Sequence, residues 1–272
     1  MTTTRQDGLV SAPTILNLGC GTKTSPHTVN IDFSIYQRIR KAPGGKLVAR
    51  ALVRGVRREH LDSMDDNLVV HDLRKGIPVA TSSVDAVYHS HTQEHLDRED
   101  VPGFLAEAFR VLRPDGIHRV VVPDLEALVR EYLESLDARR LDHDVAIERI
   151  IGQCVRREAF GTSRQPPVRR RLENIILGDA RRRGETHQWM WDWWNLTRSL
   201  EQAGFVSVKQ LDAYTSDIPD WTAIGLDVNR DGSVYKSRSL YMEARKPVEA
   251  PNGIGKTSGA LDRAQPRVGA AP

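Results

Sequence analysis

Residues 13–33 read PTILNLGCGTKTSPHTVNIDF, and the fold turns on how this stretch is read. A short apolar run ends at Leu18 as a strand would, and Gly19 and Gly21 follow at once, where a backbone that approaches a ligand must carry no Cβ. A dinucleotide-binding loop continues with a third glycine, a helix whose N-terminus holds pyrophosphate, and an acid about 20 residues on. None of the three is met. Thr24 stands at the third glycine position, only seven residues separate Gly21 from Val29 where the next strand begins, and Asp32 comes too early. A helix has no room there, which argues against a phosphate cradle. A ligand with a ribose and no phosphates remains compatible, because the loop can lie against it while Asp32, at the end of the second strand, accepts both ribose hydroxyls.

Working outward, five apolar segments are expected as strands: TILNLG, TVNIDF, NLVVHDL, VDAVYHS and HRVVVPD. Helix-like stretches separate most of them, the spacing of an α/β sheet with parallel strands. DREDVPGFLAEAFRVL places Phe104, Leu105, Ala108 and Leu112 on one helical face and is followed by RPDG, a turn signal before the next strand. From Leu125 to about His187 the pattern is long and helical with charged faces, broken by the prolines of GTSRQPPV, and it reads as an inserted cap. WNLTRSLEQAGF then forms an amphipathic helix closed by Gly204, followed by strands in FVSVKQLD and SLYMEARKP. The expected organisation is a flexible N-terminus over residues 1–12, an α/β core over 13–124, a helical cap over 125–187, completion of the core over 188–246, and a disordered tail over 247–272.

A chain of 272 residues with this apolar content buries a full core. It has no apolar run long enough to span a membrane, and MTTTRQDGLV lacks the apolar centre of a signal peptide, so a cytoplasmic location is expected. Cys20 and Cys154 have no metal-ligand spacing, and Cys20 reads as a small residue in a tight loop. Basic residues cluster at 38–58, 168–171 and 181–183, yet 36 acidic residues nearly balance 39 basic ones, so charge alone does not indicate a nucleic-acid partner. Homo-oligomerisation is left open by the composition.

S-adenosylmethionine is a ligand of the kind the glycine loop admits. The segments LNLGCG, NID, HDLRKGIP, SVDAVYHSHTQEHL and RVLRPDG, in that order, resemble the class I S-adenosylmethionine-dependent methyltransferases over about residues 14–125 and again over 186–246. The resemblance implies a doubly wound, mostly parallel sheet with an inserted helical cap, and S-adenosylmethionine as cofactor. It implies a cofactor surface of Asn17, Gly19, Cys20, Gly21, Asp32 and Phe33, with Asp72 and Leu73 bracketing the adenine and His89 and Ser90 approaching the methionine moiety. Two departures stand out: Asn17 occupies a place where many members carry an acid, and PDG replaces the commoner PGG. The Arg-rich composition adds a narrower resemblance to sugar O-methyltransferases of actinobacterial polymethylated polysaccharide pathways.

Methyl transfer from a sulfonium is an in-line displacement, so the protein must align a nucleophile and, for a hydroxyl acceptor, take its proton. HSHTQEHL, residues 89–96, supplies the titratable groups at the end of the fourth strand. His91 or His95 is the preferred general base, with Glu94 as its orienting partner or as the alternate base; strand alternation sends His89 and His91 to one side. Such a cluster can also bind metal, but the H-x-x-E-H pattern of zinc peptidases needs a regular helix and a further distal ligand, and neither is visible in the sequence. Magnesium, which can hold vicinal hydroxyls, is left open.

HQWMWDWWN, residues 187–195, packs four tryptophans into six positions, too many for all to be core. Their faces suit the apolar faces of sugars, and His187, Trp189, Trp191, Asp192 and Trp193 form the expected acceptor surface. A sugar or oligosaccharide hydroxyl is the leading acceptor. A small phenolic, polyketide or lipid acceptor is the alternative, and RNA a more distant one. Enzymes that methylate the amino groups of bases carry an Asn or Asp, Pro, Pro, aromatic pattern after the fourth strand, where this chain reads SHTQ.

Overall fold

A computed structural model describes residues 13–33, 68–153 and 186–248. The expected flexible N-terminus, the basic clusters, Cys154, the proline-containing break at 161–168 and nearly all of the expected tail lie outside the described residues.

Seven strands form one sheet in the order β3-β2-β1-β4-β5-β7-β6. These are β1 (Ile15–Leu18), β2 (Val29–Asp32), β3 (Val69–Val70), β4 (Val84–Ser90), β5 (Leu112–Pro123), β6 (Val206–Leu211) and β7 (Ser239–Arg245). The first five pair in parallel, Asn17 opposite Asn30 on one side of β1 and opposite Tyr88 on the other. β7 runs antiparallel between β5 and β6. The strand order reverses between β1 and β4, the place where doubly wound sheets open a crevice at their carboxyl ends. The glycine loop leaves β1 on one side of this crevice, and the histidine segment leaves β4 on the other.

Both faces of the sheet are covered. Helix α1 (Val101–Val111) buries Val101, Phe104, Leu105, Ala108 and Val111, an i, i+3, i+4, i+7 stripe, against one face. Leu112, expected on that stripe, is instead the first residue of β5 and is buried there. The RPDG segment is not a turn ahead of the strand. Val84 pairs with Leu112 and Ala86 with Ile117, so residues 113–116 form an irregularity within β5, with Asp115 at φ 63°. Two antiparallel-connected helices follow, α2 (Leu125–Asp137) and α3 (His143–Gln153), joined by an Arg149–Glu131 ion pair. They are the described part of the expected cap.

Helix α4 (Trp193–Gln202) closes the first face through Leu196 and Leu200, both fully buried. Its start is set by a capping box in which Asp192 accepts from the Asn195 N–H and the Asn195 side chain accepts from the Asp192 N–H. Its end is set by Gly204 at φ 96°, the expected left-handed stop. On the other face, Ile218, the single-turn helix α5 (Trp221–Ile224) and Leu226 pack on Ile15, Ala86, Tyr88 and Val121. Here Arg119 is wholly buried in mid-strand. It binds Asp227 and Glu243 at 2.8 Å each and the carbonyls of Asp212 and Thr215 at 2.7 and 2.9 Å, while Tyr88 and Trp221 donate to Asp227. Burial pushes the Asp227 carboxyl up against the pull of Arg119.

Candidate active site

The glycine loop is held from beneath. The N–H groups of Gly19 and Cys20 both donate to the Ile31 carbonyl, at 2.8 and 3.3 Å, folding the chain back onto β2. Gly19 and Gly21 sit at φ 62° and 54°, a region that glycine enters without strain. A Cβ on Gly19 would lie 2.3 Å from Thr92 Oγ1, so this position is small because the β4 segment crosses over it. At Gly21 a Cβ would meet open space, and its N–H donates to Asp32 Oδ2 at 2.8 Å. Loop and acid thus form one unit at the β1–β2 end, with a carboxylate and a backbone turn on the crevice side. That donor set fits a ribose diol.

Other expected cofactor residues have internal tasks. Asn17 is buried and its amide donates to the Lys23 carbonyl and to Asn30 Oδ1, both at 2.9 Å, so it braces the loop. Cys20 is buried. Asp72 caps a 3₁₀ turn (Leu73–Lys75) and binds Arg74 at 2.9 Å, and Arg74 holds its carboxyl below the usual range. Leu73 is part of the hydrophobic core. His89 is a correction: its ring is fully buried beneath α1, 5.1 Å from Phe104 and from His118, so it lies within the core and not on the cofactor surface. Ser90 ends β4 and Phe33 follows Asp32, both beside the crevice.

His89 and His91 do not share a side as alternation had suggested. His91 adopts φ 51° just past the strand, its N–H donating to the Val121 carbonyl at 2.8 Å, and this left-handed residue turns the chain away. A 3₁₀ turn (Gln93–His95) follows, too short for a regular helix. His91 Nε2 lies 2.8 Å from Ser239 Oγ, and its Nδ1 lies 3.3 Å from Glu94 Oε1. His95 Nε2 lies 4.0 Å from the same carboxylate oxygen, and its Nδ1 lies 3.2 Å from the Thr186 carbonyl. Burial dominates the electrostatics: it lowers His91 to about 3 and His95 to about 4, and raises Glu94 to about 8. Both imidazoles are therefore neutral near pH 7, each a weaker base than a solvated imidazole, and the Glu94 carboxyl is largely protonated there.

The tryptophan segment docks onto this cluster by its backbone, the N–H groups of Gln188 and Trp189 donating to the Glu94 carbonyl at 2.6 and 3.3 Å. His187 thereby meets His95, ring centroids 4.7 Å apart, and its Nδ1 lies 2.9 Å from the Gln153 carbonyl. The four rings divide. Trp191 is core, 3% exposed, and Trp189 packs against the core with Arg98 stacked 4.3 Å above it. Trp193 and Trp194 stand open to solvent as an edge-to-face pair. Asp192 is committed to capping α4, and it and Trp191 leave the acceptor set for that reason. Ser239, Thr92 and Thr186 complete the site unannounced; nothing in their local sequence marks them, since each is placed by a distant element.

Residues 16–120 match the family model described as a methyltransferase domain. The matched segment holds the glycine loop, Asp32 and the 89–96 cluster, whereas His187, the tryptophans and Ser239 lie beyond it. No curated protein sequence matches the chain. Among solved structures it is similar to an S-adenosylmethionine-dependent methyltransferase of Archaeoglobus fulgidus, at 15% identity over 87% of each chain and a TM-score of 0.40. A second, from Methanosarcina mazei, shows 17% identity over 89% of this chain and 95% of that one, TM-score 0.41. A third, DhpI in complex with SAH, shows 13% identity over 86% and 77%, TM-score 0.42. Among the described residues, no helix is long and apolar enough to cross a membrane.

Proposed function

We propose that this chain is an S-adenosylmethionine-dependent methyltransferase that acts on a hydroxyl group of a sugar or oligosaccharide, with His91 as the general base. The observation that carries the reading is the crevice itself. Glycine loop and Asp32 line one side, and on the other His91 Nε2 already faces a hydroxyl, that of Ser239, at 2.8 Å. An acceptor hydroxyl that takes the place of the Ser239 hydroxyl meets the same lone pair. S-adenosylmethionine, when bound, supplies an electrophilic methyl group on a sulfonium for in-line transfer.

Asp32 holds the ribose side, and Gly21 fixes the carboxylate. His91 takes the hydroxyl proton as the acceptor oxygen becomes nucleophilic, and Glu94 stands 3.3 Å behind Nδ1 as its neighbour. His95 stands on the far side of the same carboxylate as the alternate base. The open pair Trp193 and Trp194 offers flat apolar faces to a sugar ring.

The test is transfer of labelled methyl from S-adenosylmethionine to panels of sugars, phenols and RNA. Label in sugars supports the reading. Label confined to phenols moves the acceptor to an aromatic hydroxyl, and label confined to RNA overturns it.

A further inference from the structure

We infer that Glu94, His95 and His187 form a binding site for a divalent transition-metal ion of the zinc type. The inference concerns the same site as the proposed reaction but holds whatever the acceptor.

The three residues come from a 3₁₀ turn after β4 and from a segment some ninety positions later, and the ligand atoms they offer all lie within 4.8 Å of one another. The distal ligand missing from the sequence pattern around His91, Glu94 and His95 is therefore His187. A tetrahedral set with bonds of about 2.0–2.1 Å needs ligand atoms about 3.4 Å apart, so small side-chain rotations complete the site.

Two observations point to a cation. The first is tautomeric. A carbonyl only accepts, so the Thr186 and Gln153 carbonyls, 3.2 and 2.9 Å from the Nδ1 atoms of His95 and His187, fix the proton on Nδ1 in each ring. Nε2 then carries the lone pair, and a ring N–H donated to a backbone carbonyl is the usual support of a metal-bound histidine. The second is Glu94. Its carboxylate is fully buried, and neither oxygen has a hydrogen-bond donor, His91 Nδ1 at 3.3 Å being out of line. A buried carboxylate without a hydrogen-bond donor is costly, and a divalent ion relieves that cost.

Ligand type selects the ion. Two imidazoles and one carboxylate suit zinc, cobalt or iron; magnesium and calcium prefer all-oxygen surroundings. Three protein ligands leave a fourth position for solvent or an acceptor hydroxyl. The backbone docking of residues 188 and 189 on Glu94 keeps the ligands together before any ion arrives.

Cobalt(II) is the probe. The full chain, stripped with chelator and dialysed, is titrated while visible absorption is recorded. Intense four- or five-coordinate bands that saturate at one equivalent and are displaced by zinc are the expected result. His95→Ala and His187→Ala should each weaken cobalt binding at least about 10-fold, while His27→Ala, at an exposed position, leaves it unchanged. Glu94→Gln preserves shape, and circular dichroism checks that each variant is folded. If a histidine variant unfolds, Glu94→Gln decides, and its expected result is the same weakening. A weak six-coordinate spectrum, or wild-type affinity in the folded variants, overturns the inference. Calorimetry with the demethylated cofactor runs alongside. Product binding without cobalt binding removes the metal and leaves methyl transfer standing; cobalt binding without product binding does the reverse.

Discussion

Asp32 stands where it does because β2 ends there and because the Gly21 N–H holds its carboxylate. Replacing it with alanine removes a charged acceptor from two hydroxyls, so Asp32→Ala should weaken binding of the demethylated cofactor by about 2 kcal/mol, read by calorimetry. Unchanged affinity would remove Asp32 from the site. His91 is tested separately. His91→Ala should lower kcat by about 10²-fold to 10⁴-fold with cofactor affinity intact. A variant with near-normal kcat would shift the base to His95 or Glu94. At this scale the sequence was legible where a residue acts through its neighbours in the chain. The order Gly19, Gly21, Asp32 anticipated that loop and acid form one unit, because loop and strand end are adjacent. It misled at His89, whose ring is taken up by the core beneath α1, and it did not show that Asn17 braces the loop through the Lys23 carbonyl or that Asp72 binds Arg74. One sequence does not show which way a polar side chain turns.

Strands β4 and β5 carry a feature the periodicity did not reveal. His89 and His118 face each other across the two strands, wholly buried, with no hydrogen bond to either ring. Burial lowers His89 to about 3 and His118 well below its ordinary value. In the unfolded chain both titrate near 6.5. The folded values are the lower ones, so stability is full above about pH 6.5 and falls as the pH drops toward 3, by about 1.4 kcal/mol per pH unit for each histidine. Thermal melts should therefore show a steep acid limb below pH 6, and His118→Leu should make it shallower. A limb of unchanged slope in that variant would assign acid sensitivity elsewhere. All seven strands were readable as apolar runs, and α1 and α4 from their buried stripes and their stops. The RPDG segment was not, because a bulge within a strand and a turn before one use the same residues.

Across the whole molecule, the cover over the second face hangs on one guanidinium. Arg119 neutralises Asp227 and Glu243 and binds two carbonyls of the loop before α5, so Arg119→Met leaves two buried carboxylates without a counter-charge. The expected loss is about 3–5 kcal/mol, measured by denaturant titration. A loss below about 1 kcal/mol would mean that water reaches the pair. A charged residue beside the valines of HRVVVP was the available sign, although its carboxylate partners lie more than a hundred positions away. The parallel sheet was legible because its crossovers are local; the meeting of His187 with Glu94 was not, since it joins segments that only the finished fold brings together.

The place of β7 bears on how the chain emerges from the ribosome. β5 ends in Val120, Val121 and Val122, and its outer edge pairs only with β7, which is translated more than a hundred residues later. Until then a nascent chain exposes a long valine-rich edge that invites pairing with its neighbours. A premature stop anywhere between Pro123 and Ser239 would leave that edge uncovered, and such truncated chains should collect in inclusion bodies while the full chain stays dispersed.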